Sequence, residues 1–334
     1  MTKPALWIAK LALTLVILAV IVWKLDFAAV RAAFVSLAPA AIPIAFLVIV
    51  LQTVCTGLRL GIIVSTFGQR ISALHAVRIS IESIFFGQTF VSFIGSDALR
   101  VWRVRRAGLS LDQAGEAVAL DRVLGIMVNH ALLLVSLPWL FARIDNEAVR
   151  LILIALALAG IAGTITVLVF GYFKDGIVEA ASRISGIRRA RIAGFAAQAI
   201  TAGQHLLHPH PRLLLATAVS LLSAVCNALV FFVLLLGWQV DPVTALLASL
   251  LVPAVLEIAM LPISIAGWGV REGAAVVAFG TLGIPAAVAF GASVLFALLT
   301  LALGLFGGLS WLIGRRPHPK ADAPEPLRVA PPKG

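Results

Sequence analysis

Charged residues are scarce in this sequence, and their scarcity excludes a water-soluble fold. Only 12% of the 334 residues are Asp, Glu, Lys or Arg, whereas a soluble domain carries about 25%. Cysteine is also rare: Cys55 and Cys226 lie far apart within apolar runs, which excludes a disulfide framework and indicates two reduced packing residues. Apolar runs of about 20 residues, the length that a helix needs to cross hydrocarbon, recur instead and predict one all-α membrane domain.

The apolar runs predict about six full crossings and two segments of another kind. The crossings lie near residues 6–25, 40–65, 117–141, 149–172, 212–236 and 285–313. For the first run a cleaved signal peptide is the alternative, and a retained span is favoured because similar spans follow. Residues 79–94 are too short and polar to face lipid, and residues 246–265 are interrupted by Pro253, Glu257 and Pro262. Both segments are predicted to be re-entrant helical hairpins shielded by protein.

The distribution of basic residues supports this layout and orients it. With the N-terminus inside, 19 of the 26 Lys and Arg residues lie on the cytoplasmic side and five on the outer side, while Arg59 and Arg122 stay within spans. A full crossing by either odd segment would spoil this asymmetry. The net charge of +11 thus follows membrane topology, and no nucleic-acid partner is expected.

The layout predicts a multi-pass membrane protein with both termini in the cytosol. Residues 1–313 form the membrane domain, within which residues 173–211 are a cytosolic loop with helices on the membrane surface. Residues 314–334 are predicted to be a disordered, Pro-rich cytosolic tail.

The two odd segments end alike, which suggests an inverted repeat. The first closes with residues 91–95 (VSFIG) and reaches Arg100, and the second closes with residues 263–267 (ISIAG) and reaches Arg271. Segments that enter from opposite faces in this way place a transport site between two halves of a protein, near the bilayer midplane. Chance similarity between short apolar segments is the competing explanation.

Ionisable and small polar residues at membrane depth form the candidate site. A charge at a helix centre costs about 2.5–3.5 kcal/mol on insertion scales, so such residues need a partner or a hydrated cavity. Structural pairing and a head-group cavity both meet that need, and the cavity is favoured. The predicted substrate-binding residues are Arg100, Asp97, Arg122, Asp121, Arg271, Glu272, Glu82, Glu257, Ser92 and Ser264, with Gly95, Gly267 and Gly269 at the hairpin tips.

Some of these residues have simpler interpretations. The glycine-rich tips expose helix N-termini that suit an anion. Ordinary turns with interfacial arginines are the alternative, which fits equally well at Arg271, whereas anion binding is favoured at Arg100. Asn129 and His130 either line the cavity or bond a neighbouring helix. No metal and no cofactor are expected: the histidines of the cytosolic loop, at 205, 208 and 210, have no Cys or acid beside them.

Two motifs resemble those of a known family. Residues 261–273 (LPISIAGWGVREG), and the stretch from Gly95 through Arg100 to residues 120–122, are similar to the lysylphosphatidylglycerol synthase transmembrane-region family, also called flippase-like membrane proteins. The resemblance implies a lipid-translocating fold, with lipidated phosphate or glycolipid cargo in various members and roles beside hopanoid, polyprenyl-glycolipid and lipid-aminoacylation pathways. The motif that runs from Gly95 to residue 122 departs from the family pattern. Phe93 stands before its glycine where the family usually has a proline, and Asp121 stands where the family usually has a Glu.

Three functions compete at this point. The leading hypothesis is a flippase or transporter of an anionic or phosphate-bearing lipid, namely a phospholipid, a polyprenyl-phosphate glycolipid or a hopanoid-related lipid, whose head group the arginines hold. The second is a non-transporting scaffold for a lipid-modifying partner enzyme. The third is an intramembrane enzyme; the sequence lacks His-Glu-x-x-His and Gly-x-Ser-x-Gly motifs and the aminoacyltransferase domain of the bifunctional synthases, so no enzymatic activity is expected.

Overall fold

A computed structural model describes most of the chain. It covers residues 27–89, 92–173, 200–207, 210–261, 263–264 and 266–313, with the backbone alone at residues 27, 89 and 92–94. The predicted first crossing, most of the predicted cytosolic loop and the predicted tail lie outside these residues.

The described residues are helical throughout, which confirms the predicted all-α class. They form eleven labelled helices and a helical segment over residues 200–207. In chain order the helices are α1 (Phe27–Ser36), α2 (Ala41–Thr66), α3 (Ala73–Thr89), α4 (Ser92–Arg106), α5 (Leu111–Phe141), α6 (Glu147–Tyr172), α7 (Pro211–Gly237), α8 (Pro242–Leu250), α9 (Val252–Met260), α10 (Val270–Gly280) and α11 (Ala286–Ile313).

Six helical stretches within the described ranges are long and apolar enough to cross a membrane. Five of them, α2, α5, α6, α7 and α11, match predicted crossings. The sixth is α8 together with α9, Pro242–Met260, which falls in the segment predicted to be re-entrant. Its 19 residues suffice for a crossing by length and composition, so its re-entrant placement stays a prediction.

Local sequence explains two helix boundaries. Ser110 caps α5 by accepting the backbone N–H of Gln113, whose side chain accepts the N–H of Ser110 in return. This capping box starts the helix earlier than its apolar run predicts. Pro253 has no N–H to donate to the preceding turn, and the helical run accordingly breaks at Leu251, between α8 and α9.

The pair α3 and α4 forms an antiparallel hairpin, hereafter hairpin 1. A Cβ at Gly87 would lie 3.3 Å from that of Ser96 near its closed end. Nearer to its open end, the Arg103 guanidinium donates to Glu82 at 2.6 and 2.9 Å. From the first contact to the second the residue number falls in α3, from 87 to 82, and rises in α4, from 96 to 103, which is the pattern of an antiparallel hairpin.

Glycines bring α2 and α11 into close contact with hairpin 1. A Cβ at Gly57 of α2 would lie 2.6 Å from the Cα of Val77, and one at Gly304 of α11 would lie 3.3 Å from the backbone nitrogen of Phe85. Gly57 and Gly61 of α2, and Gly304 and Gly308 of α11, are pairs spaced four residues apart, and both pairs serve close helix packing.

A second antiparallel hairpin, hereafter hairpin 2, consists of α8 and α9, a turn, and α10. The turn has left-handed backbone at Ala266 (φ 51°), Gly267 (φ 78°) and Gly269 (φ 83°). Glycine adopts this conformation without the Cβ penalty of other residues. The Glu272 carboxylate then caps α10 by accepting the N–H of Gly269 at 2.5 Å.

Hairpins 1 and 2 open at opposite ends of the bundle. Beside the open end of hairpin 1, Arg78 donates to the carbonyl oxygen of Ser310, near the end of α11. Beside the open end of hairpin 2, Trp238 contacts Gly291, near the start of α11. We call the end of the bundle where hairpin 1 opens the basic end, because five arginines lie there: Arg70, Arg103, Arg105, Arg106 and Arg212. This opposed arrangement is the one that the suggested inverted repeat requires.

The buried core has two apolar clusters with a polar level between them. On α2, for example, Ile49 belongs to one cluster and Leu60 to the other. The polar residues Gln52, Thr56 and Arg59 of α2 lie between these two positions. Cys55 and Cys226 are buried and free, which confirms their predicted packing role.

Candidate functional site

A cavity of about 400 Å³ lies at the polar level between the two clusters. Four spans and both hairpins supply its walls. Its polar lining consists of Gln52, Thr56 and Arg59 of α2; Asp121, Arg122 and Asn129 of α5; Ser220, Ser223 and Asn227 of α7; Ser96 and Arg100 of hairpin 1; and Glu257 and Arg271 of hairpin 2. The structure thus brings residues of the two hairpins into one site, together with the apolar Phe296 of α11.

Asp121 is the centre of the charged network in this cavity. It is fully buried and accepts hydrogen bonds from Arg59 at 2.6 and 3.1 Å and from Arg100 at 3.0 Å. The hydroxyl oxygens of Ser220 and Ser83 accept further bonds from the two guanidinium groups, at 3.3 and 3.1 Å. Two permanently charged arginines share one carboxylate, so these three groups together carry one positive charge.

Arg100 keeps donor capacity toward the cavity. Its Nε and Nη1 atoms bind Ser83 and Asp121, and no acceptor for its Nη2 occurs among the described residues. A largely buried guanidinium with free N–H groups is a strong partner for a carboxylate or phosphate. An oxyanion in the cavity would complete its hydrogen bonding.

Arg271 is held differently, by its own helix. Glu272, which is fully buried, accepts from its Nε and Nη2 atoms at 3.1 and 2.6 Å, and Ser293 accepts from Nε at 3.2 Å. The guanidinium also lies 5.5 Å from the Trp268 ring centre and 5.6 Å from that of Phe296, within cation–π range. The Nη1 atom of Arg271 has no hydrogen-bond partner among the described residues.

A second ion pair joins hairpin 1 to α5. Asp97 accepts from Arg122 at 2.5 Å. Their side chains are 31% and 28% exposed, whereas that of Asp121 is not exposed at all. The pair therefore lies nearer to the open side of the site than the Asp121 network does.

Glu257 is the acid that hairpin 2 contributes. Its Oε1 atom accepts the Asn129 side-chain amide at 2.8 Å and lies 3.0 Å from Nδ1 of His130. The same amide donates to the carbonyl oxygen of Pro253. The Oε2 atom of Glu257 is buried and has no hydrogen-bond partner in the described structure. Both interpretations of Asn129 hold, because it lines the cavity and also bonds a neighbouring helix.

Glu82 lies outside the cavity, although the sequence places it in the site. It is fully buried and binds Arg78 at 2.9 Å and Arg103 at 2.6 Å. The two arginines neutralise the charge of the buried Glu82 carboxylate inside hairpin 1. Burial, followed by the nearby charges of Arg103 and Arg78, lowers the pKa of His75 at the start of α3.

The small residues of the predicted site are distributed along the hairpins. Gly95 lies within the first turn of α4, while Gly267 and Gly269 form the turn of hairpin 2. Ser264 is buried in that turn, and its hydroxyl has no partner among the described residues. The side chain of Ser92 is outside the described part of the chain. Glu272 binds the N–H of Gly269, which the sequence predicts to be open to an anion.

The substrate-binding residues predicted from the sequence do not include the uncharged polar residues of α2 and α7. Arg59 is also not among them, although its membrane depth is evident from the sequence. The signal is helical spacing: Gln52, Thr56 and Arg59 share one face of α2, as Ser220, Ser223 and Asn227 share one face of α7. Gln52, Thr56 and Ser223 are also mutually hydrogen-bonded, at 3.2 to 3.3 Å.

The fold and the site together define a polytopic α-helical membrane protein with a buried, arginine-rich polar cavity. A match to the family described as lysylphosphatidylglycerol synthase TM region covers residues 7–308, and the chain belongs to that family. This confirms the resemblance seen in the sequence and makes the chain a membrane protein of lipid metabolism or transport. No curated protein matches the chain.

Proposed function

We propose that this protein carries an anionic or phosphate-bearing lipid across the membrane and holds its head group in the cavity. The observation that supports this most directly is the sharing of Asp121 by Arg59 and Arg100. Family membership supports a lipid as the cargo, and the single positive charge that Arg59, Arg100 and Asp121 carry together supports an anionic head group.

The cavity suits a head group more than a whole lipid. Its volume of about 400 Å³ is at the lower end of the roughly 300–1,000 Å³ found for small-molecule sites. Arg100 and Arg271 both have a nitrogen without a hydrogen bond in the described structure, and a phosphate oxygen would satisfy each. The acyl or polyprenyl chains would stay among the apolar outer faces of the helices.

The orientation and setting belong to the same proposal. We place the protein in the bacterial inner membrane with the basic end facing the cytoplasm, because cytoplasmic loops carry the excess of Lys and Arg. Hairpins 1 and 2 would then enter from opposite leaflets and meet at the cavity. The cargo would be a phospholipid, a polyprenyl-phosphate glycolipid or a hopanoid-related lipid, moved without chemical change, and a lipid-modifying enzyme would be a natural partner.

Reconstitution tests the proposal. The purified protein is placed in liposomes with acyl-labelled fluorescent phosphatidylglycerol, and in parallel with labelled phosphatidylcholine and a labelled polyprenyl phosphate. Transfer is followed with a membrane-impermeant quencher. Arg100→Gln, which removes the incompletely bonded cation, is compared with Arg105→Gln, an exposed arginine on the same helix. We expect anionic lipid to move, at least tenfold more slowly with Arg100→Gln and unchanged with Arg105→Gln.

Two results would contradict the proposal. One is the absence of protein-dependent transfer for every lipid of the panel. The other is equal transfer by the Arg100→Gln and Arg105→Gln variants. A co-purifying enzyme whose activity survives Arg100→Gln would favour the scaffold hypothesis instead.

A further inference from the structure

The Oε2 atom of Glu257 needs a physical explanation. The Glu257 side chain is only 7% exposed, and a buried polar atom without a hydrogen bond costs about 1–3 kcal/mol. Both donors that reach the carboxyl group, from Asn129 and His130, are directed at Oε1. The second oxygen is therefore left without a protein donor in the described structure, in a residue that lines the cavity.

The histidine beside Glu257 is fixed in position and in tautomer. Its Nδ1 atom lies 3.3 Å from the carbonyl oxygen of Ile126 and 3.0 Å from Oε1 of Glu257. Both neighbours are acceptors when Glu257 is ionised, so Nδ1 carries a hydrogen. On the other side, the His130 ring lies directly against Gly160 of α6, where a Cβ would be 1.5 Å from its Cδ2 atom. The ring therefore holds Oε1 and leaves Oε2 as the position for a proton.

The remaining charges around the cavity are arranged so that Glu257 controls its net charge. The cavity is also lined by Arg59 of α2, Arg100 of α4, and Asp121 and Arg122 of α5, and Arg122 is paired with Asp97. Arg271 of α10, which lines the cavity too, is neutralised by Glu272. From α7 come only uncharged groups, Ser220, Ser223 and Asn227. An ionised Glu257 opposes an anionic head group in this space, whereas a protonated Glu257 offers it an O–H donor.

We propose that Glu257 is a proton-binding site, positioned by His130, and that it takes up one proton when an anionic head group occupies the cavity. The inference rests on the proposed function and adds its coupling ion. The proton passes from water to Oε2, which turns the carboxylate into a carboxylic acid and lets it donate to a phosphate oxygen. Because linkage is reciprocal, proton uptake strengthens anion binding by the same factor by which the anion strengthens proton uptake.

The first test detects the proton on Glu257 without any lipid cargo. The full chain in phosphatidylcholine nanodiscs is titrated with pH, and the carboxylic-acid C=O band is followed by infrared difference spectroscopy. We expect a band that titrates in the wild type, is lost with Glu257→Gln and persists with Glu147→Gln, which alters an exposed acid. Gly160→Ala, which displaces the His130 ring without changing a titratable group, should move the titration midpoint and keep the band.

The second test counts protons during binding. Short-chain phosphatidylglycerol is titrated calorimetrically into the detergent-solubilised protein in two buffers of different ionisation enthalpy. We expect about one proton taken up per lipid by the wild type at a pH where Glu257 is ionised, none by Glu257→Gln, and an affinity that rises at least fivefold as the pH falls.

The outcomes separate this inference from the proposed function. Lipid binding without proton uptake, or the same titration of the band in the wild type and in Glu257→Gln, would overturn the proton site and leave transport standing. A titrating band lost with Glu257→Gln, in a protein that binds and moves none of the lipid panel, would sustain the site and overturn the lipid cargo. If no band titrates at all, the inference is wrong.

Discussion

Hairpin 1 and hairpin 2 each carry a buried acid on their first arm, and the two acids are bound in different ways. Glu82 of hairpin 1 is enclosed by Arg78 and Arg103, which belong to the same hairpin. Glu257 of hairpin 2 instead reaches α5, where it meets His130, and keeps one oxygen without a partner in the described structure. The first acid completes its own hairpin, and the second faces the cavity.

The arginines on the second arms show the reverse relation. Arg271 of hairpin 2 is bound by its neighbour Glu272. Arg100 of hairpin 1 reaches Asp121 of α5 and shares it with Arg59. Of its acid and arginine in these matched positions, each hairpin thus neutralises one internally and presents the other to α5, the cation Arg100 in hairpin 1 and the anion Glu257 in hairpin 2. Hairpin 1 also presents Asp97 to Arg122 of α5. Similar motifs in two halves of a chain therefore do not imply similar roles.

Replacing each of the two acids by its amide should give the largest difference in stability between the hairpins. Glu82→Gln leaves Arg78 and Arg103 without a carboxylate, and removing one partner of a buried ion pair costs about 3–5 kcal/mol. Glu257→Gln keeps an oxygen for both of its donors, and should cost less than about 1 kcal/mol. Unfolding of the two variants by denaturant in detergent measures the difference. Equal losses would mean that both acids are structural.

A methyl group between α11 and hairpin 1 should have the next largest effect. At Gly307 it would lie 2.2 Å from the carbonyl oxygen of Ile81, and overpacking of this kind costs about 1–3 kcal/mol. The control is Gly163→Ala in α6, where nothing lies within 4 Å of the added atom and alanine should gain up to about 1 kcal/mol. Thermal unfolding midpoints compare the two. A Gly307→Ala variant as stable as the wild type would show that hairpin 1 is not fixed to α11.

The turn of hairpin 2 should respond more weakly. Gly267 has a φ of 78°, and a Cβ there would lie 3.0 Å from the carbonyl oxygen of Ala259, so Gly267→Ala should cost about 1–2 kcal/mol. Gly280→Ala, at the other end of α10 with open space around it, is the matched control. The same unfolding assay applies, and indistinguishable variants would exclude a strained turn as the basis of this hairpin's shape.

The spans were predictable because hydrophobicity alone determines them. Five of the predicted crossings coincide with helices that are long and apolar enough, and Pro253 marks the break between α8 and α9. The opposed hairpins also follow from the sequence, because the basic residues constrain which loops share a side. Their depth in a bilayer is still a prediction.

The partners within the site were less predictable. Arg59 and Asp121 are 62 residues apart, and their pairing depends on how α2 packs on α5, which no local pattern encodes. Glu82 looks like Glu257 in sequence, yet its neighbours four and 21 residues away remove it from the cavity. Serine and threonine in a span, such as Thr56, bond their own helix as readily as a ligand, so their spacing alone is a weak signal.

The glycine contact between α11 and α3 bears on how the chain is assembled in the membrane. Hairpin 1 is synthesised long before α11, whose glycines lie against its backbone. Until α11 is inserted, the face of α3 that packs against it lacks its native contacts. The packing around the first hairpin is therefore completed only when the last described helix is in place.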